Sequence, residues 1–146
     1  MNVHFSSKTN EWYTPKEVFE PLHKEFNFTL DPCCTKYSAK CKKFYTEDDD
    51  GLSKDWSEDT VFVNPPYGRQ IKDWVKKSYT ESKKGATVVM LIPARTDTSY
   101  WHDYIFNKAS DIRFIRGRIK FERQDGTLGD SCPFPVAIIV FKPIVV

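Results

Sequence analysis

Residues 60–94 read as three successive blocks, TVFVNPPYG, RQIKDWVKKSYTESKKG and ATVVMLIPA. The first is an apolar, partly β-branched run that must stop at Pro65-Pro66, because neither proline can donate a ladder hydrogen bond. The second sets Ile71, Trp74, Val75 and Ser78 on one helical face, surrounds them with lysines and closes at Gly85. The third is apolar almost throughout, the pattern of a strand buried on both faces. A strand, a helix and a doubly buried strand in that order predict a parallel pair joined by a helical crossover, hence an α/β sandwich. The turn Asn64-Pro65-Pro66-Tyr67 then falls at a strand's carboxyl end, where open α/β sheets bind their ligands.

Upstream, TPKEVFEPLHKEF (14–26) predicts a helix with Thr14 as N-cap, Pro15 at its first position, and Val18, Phe19, Leu22 and Phe26 at helical spacing. Pro21 would kink it. FNFTLDPCC (26–34) alternates Phe26, Phe28 and Leu30 and stops at Asp31-Pro32, a strand entering a turn. CKKFYTEDDDGL (41–52) is a second strand running into an acidic loop. Downstream, TSYWHDYIFNK (98–108) predicts another helix, and DIRFIRGRIKFE (111–122) and PFPVAIIVFKP (133–143) late strands, the first bending at Gly117. The expected fold is a compact, truncated Rossmann-like α/β unit whose mixed sheet has a parallel core and an antiparallel edge.

With 146 residues, 40% hydrophobic and 15% aromatic, the chain supports one core and one domain over 1–146, the polar first ten residues being expected to be loose. A net charge of +2 excludes a wholly basic nucleic-acid-binding character, so any such surface must be a local patch. Cys33, Cys34, Cys41 and Cys132 match none of the usual paired zinc-ligand spacings, and no metal is expected. Buried reduced thiols in a cytoplasmic protein are the expected account. No run approaches the length of a membrane span, and there is no internal repeat.

Asn64-Pro65-Pro66-Tyr67 at one strand end, Asp31-Pro32 at an earlier one and Trp12-Tyr13-Thr14-Pro15 before a helix together resemble the S-adenosylmethionine-dependent amino-methyltransferases. More narrowly, the order TP, LDPCC, TEDDDGL, DW, VFVNPPYG, LIPARTDT, FIRGRIKF, PFP resembles the small phage and prophage DNA N6-adenine methyltransferases, the Dam-like family, over residues 10–143. The resemblance implies a methyltransferase fold, S-adenosylmethionine as cofactor, DNA as partner and a phage or prophage protein in a bacterial host. It also supplies Asp31 near the donor's methionyl ammonium, Pro32 shaping that turn, and Thr14, with Pro15 beside it, near the donor's carboxylate. The sequence departs from ordinary methyltransferases in two ways. Asp31-Pro32-Cys33-Cys34 holds no glycine to cradle the donor, and the stretch from Asp31 to Asn64 is short enough to imply a missing strand or helix.

The chemistry accounts for these residue types. An adenine exocyclic nitrogen is a poor nucleophile, its lone pair being delocalised into the ring. Two acceptors on its N–H bonds, the Asn64 side-chain carbonyl and the Pro65 backbone carbonyl, favour a pyramidal nitrogen whose lone pair faces the methyl donor. Tyr67 stacks on the flipped base, and Pro65 and Pro66 hold the turn. The bland alternative is that the prolines merely end a strand and Asn64 makes a turn. In the acidic run, Glu47 and Asp48 are candidates for the donor's ribose and Asp50 for its adenine amine, against the alternative of a solvated loop.

DNA-facing candidates follow. Arg95 and Thr96 lie after a strand end on the catalytic rim, with Tyr100 or Trp101 as support, and alternation places Arg116, Arg118 and Lys120 on one strand face. A charged outer face of an edge strand is the alternative there. Loops such as 122–132 carry target discrimination. Three function classes are open: DNA adenine N6-methyltransferase, RNA adenine or protein glutamine N-methyltransferase, and a catalytically inactive nucleic-acid-binding relative.

Overall fold

Central strands with apolar residues on both faces need a layer on each side, and that requirement organises the molecule. The computed structural model describes residues 12–143, so the expected looseness of the first ten residues lies outside the described residues. The elements in chain order are helix α1 (Lys16–Phe26), strands β1 (Leu30–Asp31), β2 (Lys43–Phe44) and β3 (Thr60–Val63), helix α2 (Ile71–Lys83), and strands β4 (Thr87–Pro93), β5 (Asp111–Phe114), β6 (Lys120–Glu122), β7 (Leu128–Ser131) and β8 (Val136–Phe141). Six of the strands form one sheet in the order β2-β1-β3-β4-β8-β5. β2, β1, β3 and β4 are parallel, and β8 inserts antiparallel between β4 and β5. The parallel core and antiparallel edge are therefore both present.

Period-two alternation divides the core between the two faces. Val61, Val63, Val88, Met90, Ile92, Ile139 and Phe141 pack with Ile71, Trp74 and Val75 of α2 and with Trp56, Trp101 and Ile105. Phe62, Val89, Leu91, Val136, Ile138 and Val140 pack on the other side with Phe19 and Leu22 of α1 and with Phe28, Ile119 and Phe121. Gly85, at φ 128°, ends α2 as its sequence predicts, its amide donating to the Ser82 carbonyl.

Four expectations are corrected in kind or in extent. Thr14 does not cap α1: the cap position is Pro15, which makes no side-chain cap bond, and the Lys16 amide donates instead to Glu122 Oε2 from β6 at 3.2 Å. The strand expected from Phe26 is only Leu30–Asp31, because Asn27 ends α1 in the left-handed conformation at φ 57°. The helix expected over residues 98–108 is present but short: it runs from residue 99 into a π-helical turn, Trp101–Ile105, and stops before left-handed Asn107. Residues 111–122 are not one strand bent at Gly117. That glycine, at φ 77°, separates β5 of the main sheet from β6, which forms a two-stranded hairpin with β7.

Between β1 and β3 the described residues hold one two-residue strand and two 3₁₀ turns, Glu47–Asp49 and Gly51–Ser53, with no α-helix. This is the shortening that the span from Asp31 to Asn64 implied. No helix of the described residues is long and apolar enough to cross a membrane.

Candidate active site

β1 and β3 are adjacent and parallel, so Asp31 and Asn64 leave the sheet on the same side. There they line one cleft of about 1020 Å³, together with Thr14, Pro32, Glu47, Asp48, Asp50, Pro65, Pro66, Tyr67 and Trp74. The proposed catalytic and donor-binding residues thus converge, except Pro15, which is buried outside the lining.

At the Asn64 end, the side-chain Nδ2 donates to the Trp12 carbonyl at 2.6 Å and to Thr14 Oγ1 at 3.1 Å. The Trp12 carbonyl can only accept, so the amide nitrogen must face it and Oδ1 must point the other way. Oδ1 is buried and has no hydrogen-bond partner. Such an orphan costs about 1–3 kcal/mol until a ligand donor reaches it. Tyr67 donates its hydroxyl to the Leu91 carbonyl at 3.1 Å, and burial holds its phenol well above the ordinary range, so it stays neutral. Its ring joins Trp12, Phe121 and Phe134 in an aromatic wall, with centroids 6.4, 6.1 and 5.7 Å away. The hydroxyl therefore has a role in placing the ring, which the stacking argument alone did not give it.

At the other end, Asp31 is 3% exposed. Its Oδ1 accepts from the Cys33 amide at 3.3 Å and its Oδ2 from the Lys40 amide at 3.0 Å, so the carboxylate folds the loop between them back onto the strand end. Burial pushes its pKa up to about 7 against the opposing pull of those two amides. In the acidic run, Asp49 closes the 3₁₀ turn by accepting from the Thr46 amide and hydroxyl at 2.9 and 3.2 Å, whereas Glu47, Asp48 and Asp50 line the cleft. Gly51 carries that loop against β1: a Cβ there would lie 2.1 Å from the Pro32 carbonyl oxygen. Cys33, Cys34 and Cys41 are only half-buried, correcting the expectation of buried thiols, which holds for Cys132. Burial raises Cys41 to about 12 and Cys33 and Cys34 further, so all three are neutral thiols. Among the described residues no group of three metal-ligating side chains converges.

The cationic candidates lie outside the cleft lining. β5 runs parallel to β4, because both pair antiparallel with β8, so Arg95 after β4 and Arg116 and Arg118 after β5 open on the same rim as Asn64. All three are exposed, as are Thr96 and Lys120. The alternation argument fails, however: Arg116 and Arg118 flank the Gly117 turn and Lys120 begins the hairpin, so they share no strand face. Arg95 lies over the Phe134 ring, 5.4 Å from its centroid. Trp101 is fully buried with its indole N–H on the Pro93 carbonyl and Tyr100 is 8% exposed, so both are core and neither supports a nucleotide.

Sequence reasoning passed over three groups. Trp74, read as core, is 6% exposed, lines the cleft and has a buried indole N–H without a partner. The Trp12 carbonyl holds the Asn64 amide, and Phe134, outside the cleft lining, packs edge-on against the Tyr67 ring. The spacing of Trp74 on α2 gave only its burial; nothing in a one-dimensional pattern says that its nitrogen lacks a partner.

A mixed α/β sheet with this order and an Asn-Pro-Pro-Tyr turn at the end of its third parallel strand is compatible with the methyltransferase class of fold. The family model for DNA N-6-adenine-methyltransferase (Dam) matches residues 3–144, and the chain belongs to that family. A protein of Haemophilus phage HP1 named DNA N-6-adenine-methyltransferase is 30% identical over 136 residues, covering 90% of this chain and 78% of that protein. One of the same name from Escherichia phage T1 is 30% identical over 103 residues, covering 69% of this chain and 43% of that protein. Family membership implies a methyl donor.

Proposed function

We propose that this chain transfers a methyl group from S-adenosylmethionine to the N6 amine of adenine in DNA, acting on a base flipped out of its stack. The observation that carries the reading is the buried, unpartnered Oδ1 of Asn64 in a cleft that also holds the acids suited to a cationic, hydroxyl-rich donor. The residues fit that donor. Asp31 faces its ammonium, Glu47 and Asp48 its ribose hydroxyls and Asp50 its adenine amine, while the Trp74 indole N–H supplies a donor for a ring nitrogen.

When bound, S-adenosylmethionine supplies a methyl group on a sulfonium that departs as a neutral thioether. Asn64 Oδ1 and the Pro65 carbonyl accept the two N6–H bonds of the target and turn its lone pair toward that methyl. Pro65 and Pro66 keep the two acceptors from drifting as charge develops. Once the methyl has moved, the cationic nitrogen is a strong acid and loses its proton to water without a dedicated base. Tyr67 stacks on the flipped ring, a contact of about 1–3 kcal/mol, and Trp12 and Phe134 pack around the Tyr67 ring. Arg95, Thr96, Arg116, Arg118 and Lys120 hold the phosphates, and the β6–β7 hairpin faces the flanking bases. The setting is phage or prophage DNA in a bacterial cytoplasm, where the methyl mark changes the response of nucleases to that DNA.

Incubation with tritiated donor and unmethylated DNA, followed by nucleoside analysis, tests this. Deoxy-N6-methyladenosine is the expected product. Label appearing in RNA or protein but not in DNA would overturn the substrate, and no transfer at all would overturn the activity.

A further inference from the structure

The Asn64 amide is held by a segment remote in sequence, and the manner of holding assigns a residue. Its two N–H bonds go to the Trp12 carbonyl at 2.6 Å and the Thr14 hydroxyl at 3.1 Å. One contact fixes a point, but the terminal torsion of an asparagine is broad and roughly two-fold, so a single contact leaves the amide plane free to swing. The Trp12 carbonyl sets which way round the amide sits; the Thr14 hydroxyl sets its plane. A reversed amide would bring Oδ1 against a carbonyl oxygen and present N–H bonds to the target amine, a repulsive pairing.

The segment carrying both groups is itself anchored. Tyr13 exchanges backbone hydrogen bonds with Glu122 of β6, at 3.3 and 2.8 Å, and the Glu122 carboxylate accepts from the Lys16 amide just beyond. Thr14 is 2% exposed, so its hydroxyl is locked in this geometry. We propose that Thr14 is a positioning residue: through its hydroxyl it fixes the plane of the Asn64 amide so that Oδ1 meets the target N–H, and this, not capture of the donor's carboxylate, is its part in the reaction. The proposal rests on the reading of Asn64 as the acceptor for the target amine.

The experiment measures single-turnover methylation at saturating donor, beside calorimetric affinity for S-adenosylhomocysteine, in the wild-type protein, Asn64→Ala, Thr14→Val and Thr14→Ser. Thr14→Val keeps the shape and loses the hydroxyl. It should lower the single-turnover rate about tenfold while the calorimetric affinity stays within twofold, and Thr14→Ser should restore the rate to within about threefold of wild type. If Thr14→Val is poorly folded, Thr14→Ala against Thr14→Ser makes the same comparison without added bulk. A valine variant with wild-type rate, or one with weakened affinity and an unchanged saturated rate, overturns the positioning role while Asn64→Ala remains inactive. Full activity in Asn64→Ala overturns the acceptor reading and the positioning role with it.

Discussion

Asp31 and Asn64 stand at equivalent places, the carboxyl ends of neighbouring parallel strands, and line the same cleft, yet their polar atoms are treated differently. Both carboxylate oxygens of Asp31 accept from backbone amides of the loop they fold. Asn64 has its donor side doubly engaged and its acceptor side buried with no partner. A buried polar group whose partners are all internal builds the protein; one left half-satisfied by an otherwise well-ordered surround is waiting for something from outside. On the proposed function, the difference separates a residue that shapes the donor end from one that meets the reacting atoms.

The comparison predicts its largest effect at the half-satisfied residue. Asn64→Ala should cut the single-turnover rate at least about 100-fold while leaving donor affinity nearly intact, and a mutant with normal turnover would break the contrast outright. At the satisfied residue the pattern should invert. Asp31→Ala strands two part-buried amides, so it should lower unfolding stability below neutral pH by about 2 kcal/mol and raise the donor KM about tenfold, with DNA affinity unchanged within a few-fold. Thermal melts beside donor titrations check it. Gly51→Ala should raise donor KM in the same way, because its Cβ would displace the acidic loop from the Pro32 carbonyl.

The pH dependence follows from burial of Asp31. Its pKa is raised from the ordinary 3.8 to about 7, so the folded protein holds a proton that the unfolded chain has lost. The stability it contributes is full below the ordinary value and is lost as pH rises through about 7. A cationic ammonium reverses the preference, favouring the ionised carboxylate. Donor affinity should therefore climb by up to about tenfold per pH unit up to neutrality and then level off, and the slope should vanish in Asp31→Asn. An unchanged slope in that variant would detach Asp31 from the donor.

Outside both strand ends lies a control, Arg116 and Arg118 together changed to Glu. The expected outcome is weaker DNA binding with donor affinity untouched, and a log–log salt slope flatter by about one unit for each phosphate that the variant no longer neutralises. An unchanged slope would leave the phosphates to Arg95 and the hairpin. The smallest effect is expected from Tyr67→Phe. It keeps the ring but loses the bond to the Leu91 carbonyl, worth about 1 kcal/mol, so KM for DNA should rise several-fold with kcat nearly unchanged. A Phe variant as inactive as Tyr67→Ala would give the hydroxyl a larger part than placing the ring.

The sequence by itself determined the strand-turn-helix-strand unit of residues 60–94, the placement of Asn64 and Asp31 at strand ends, and the shortness of the region between them. Periodicity and proline chemistry are local, and each acts within a few residues. Only the tertiary structure decided that the Trp12–Thr14 segment reaches across to Asn64, separated from it by about fifty positions in the chain. The same holds for Glu122, which replaces Thr14 as the partner of the α1 terminus. Arg116, Arg118 and Lys120 were read as one face because alternation assumes an unbroken strand, and the left-handed turn at Gly117 broke it. The acidic run shows the division most clearly: four adjacent acids look alike in sequence, yet Asp49 is turned back onto Thr46 while Glu47, Asp48 and Asp50 face the cleft. Sequence specifies which groups are available, but whether a buried donor or acceptor is satisfied depends on what the rest of the chain brings within about 3 Å.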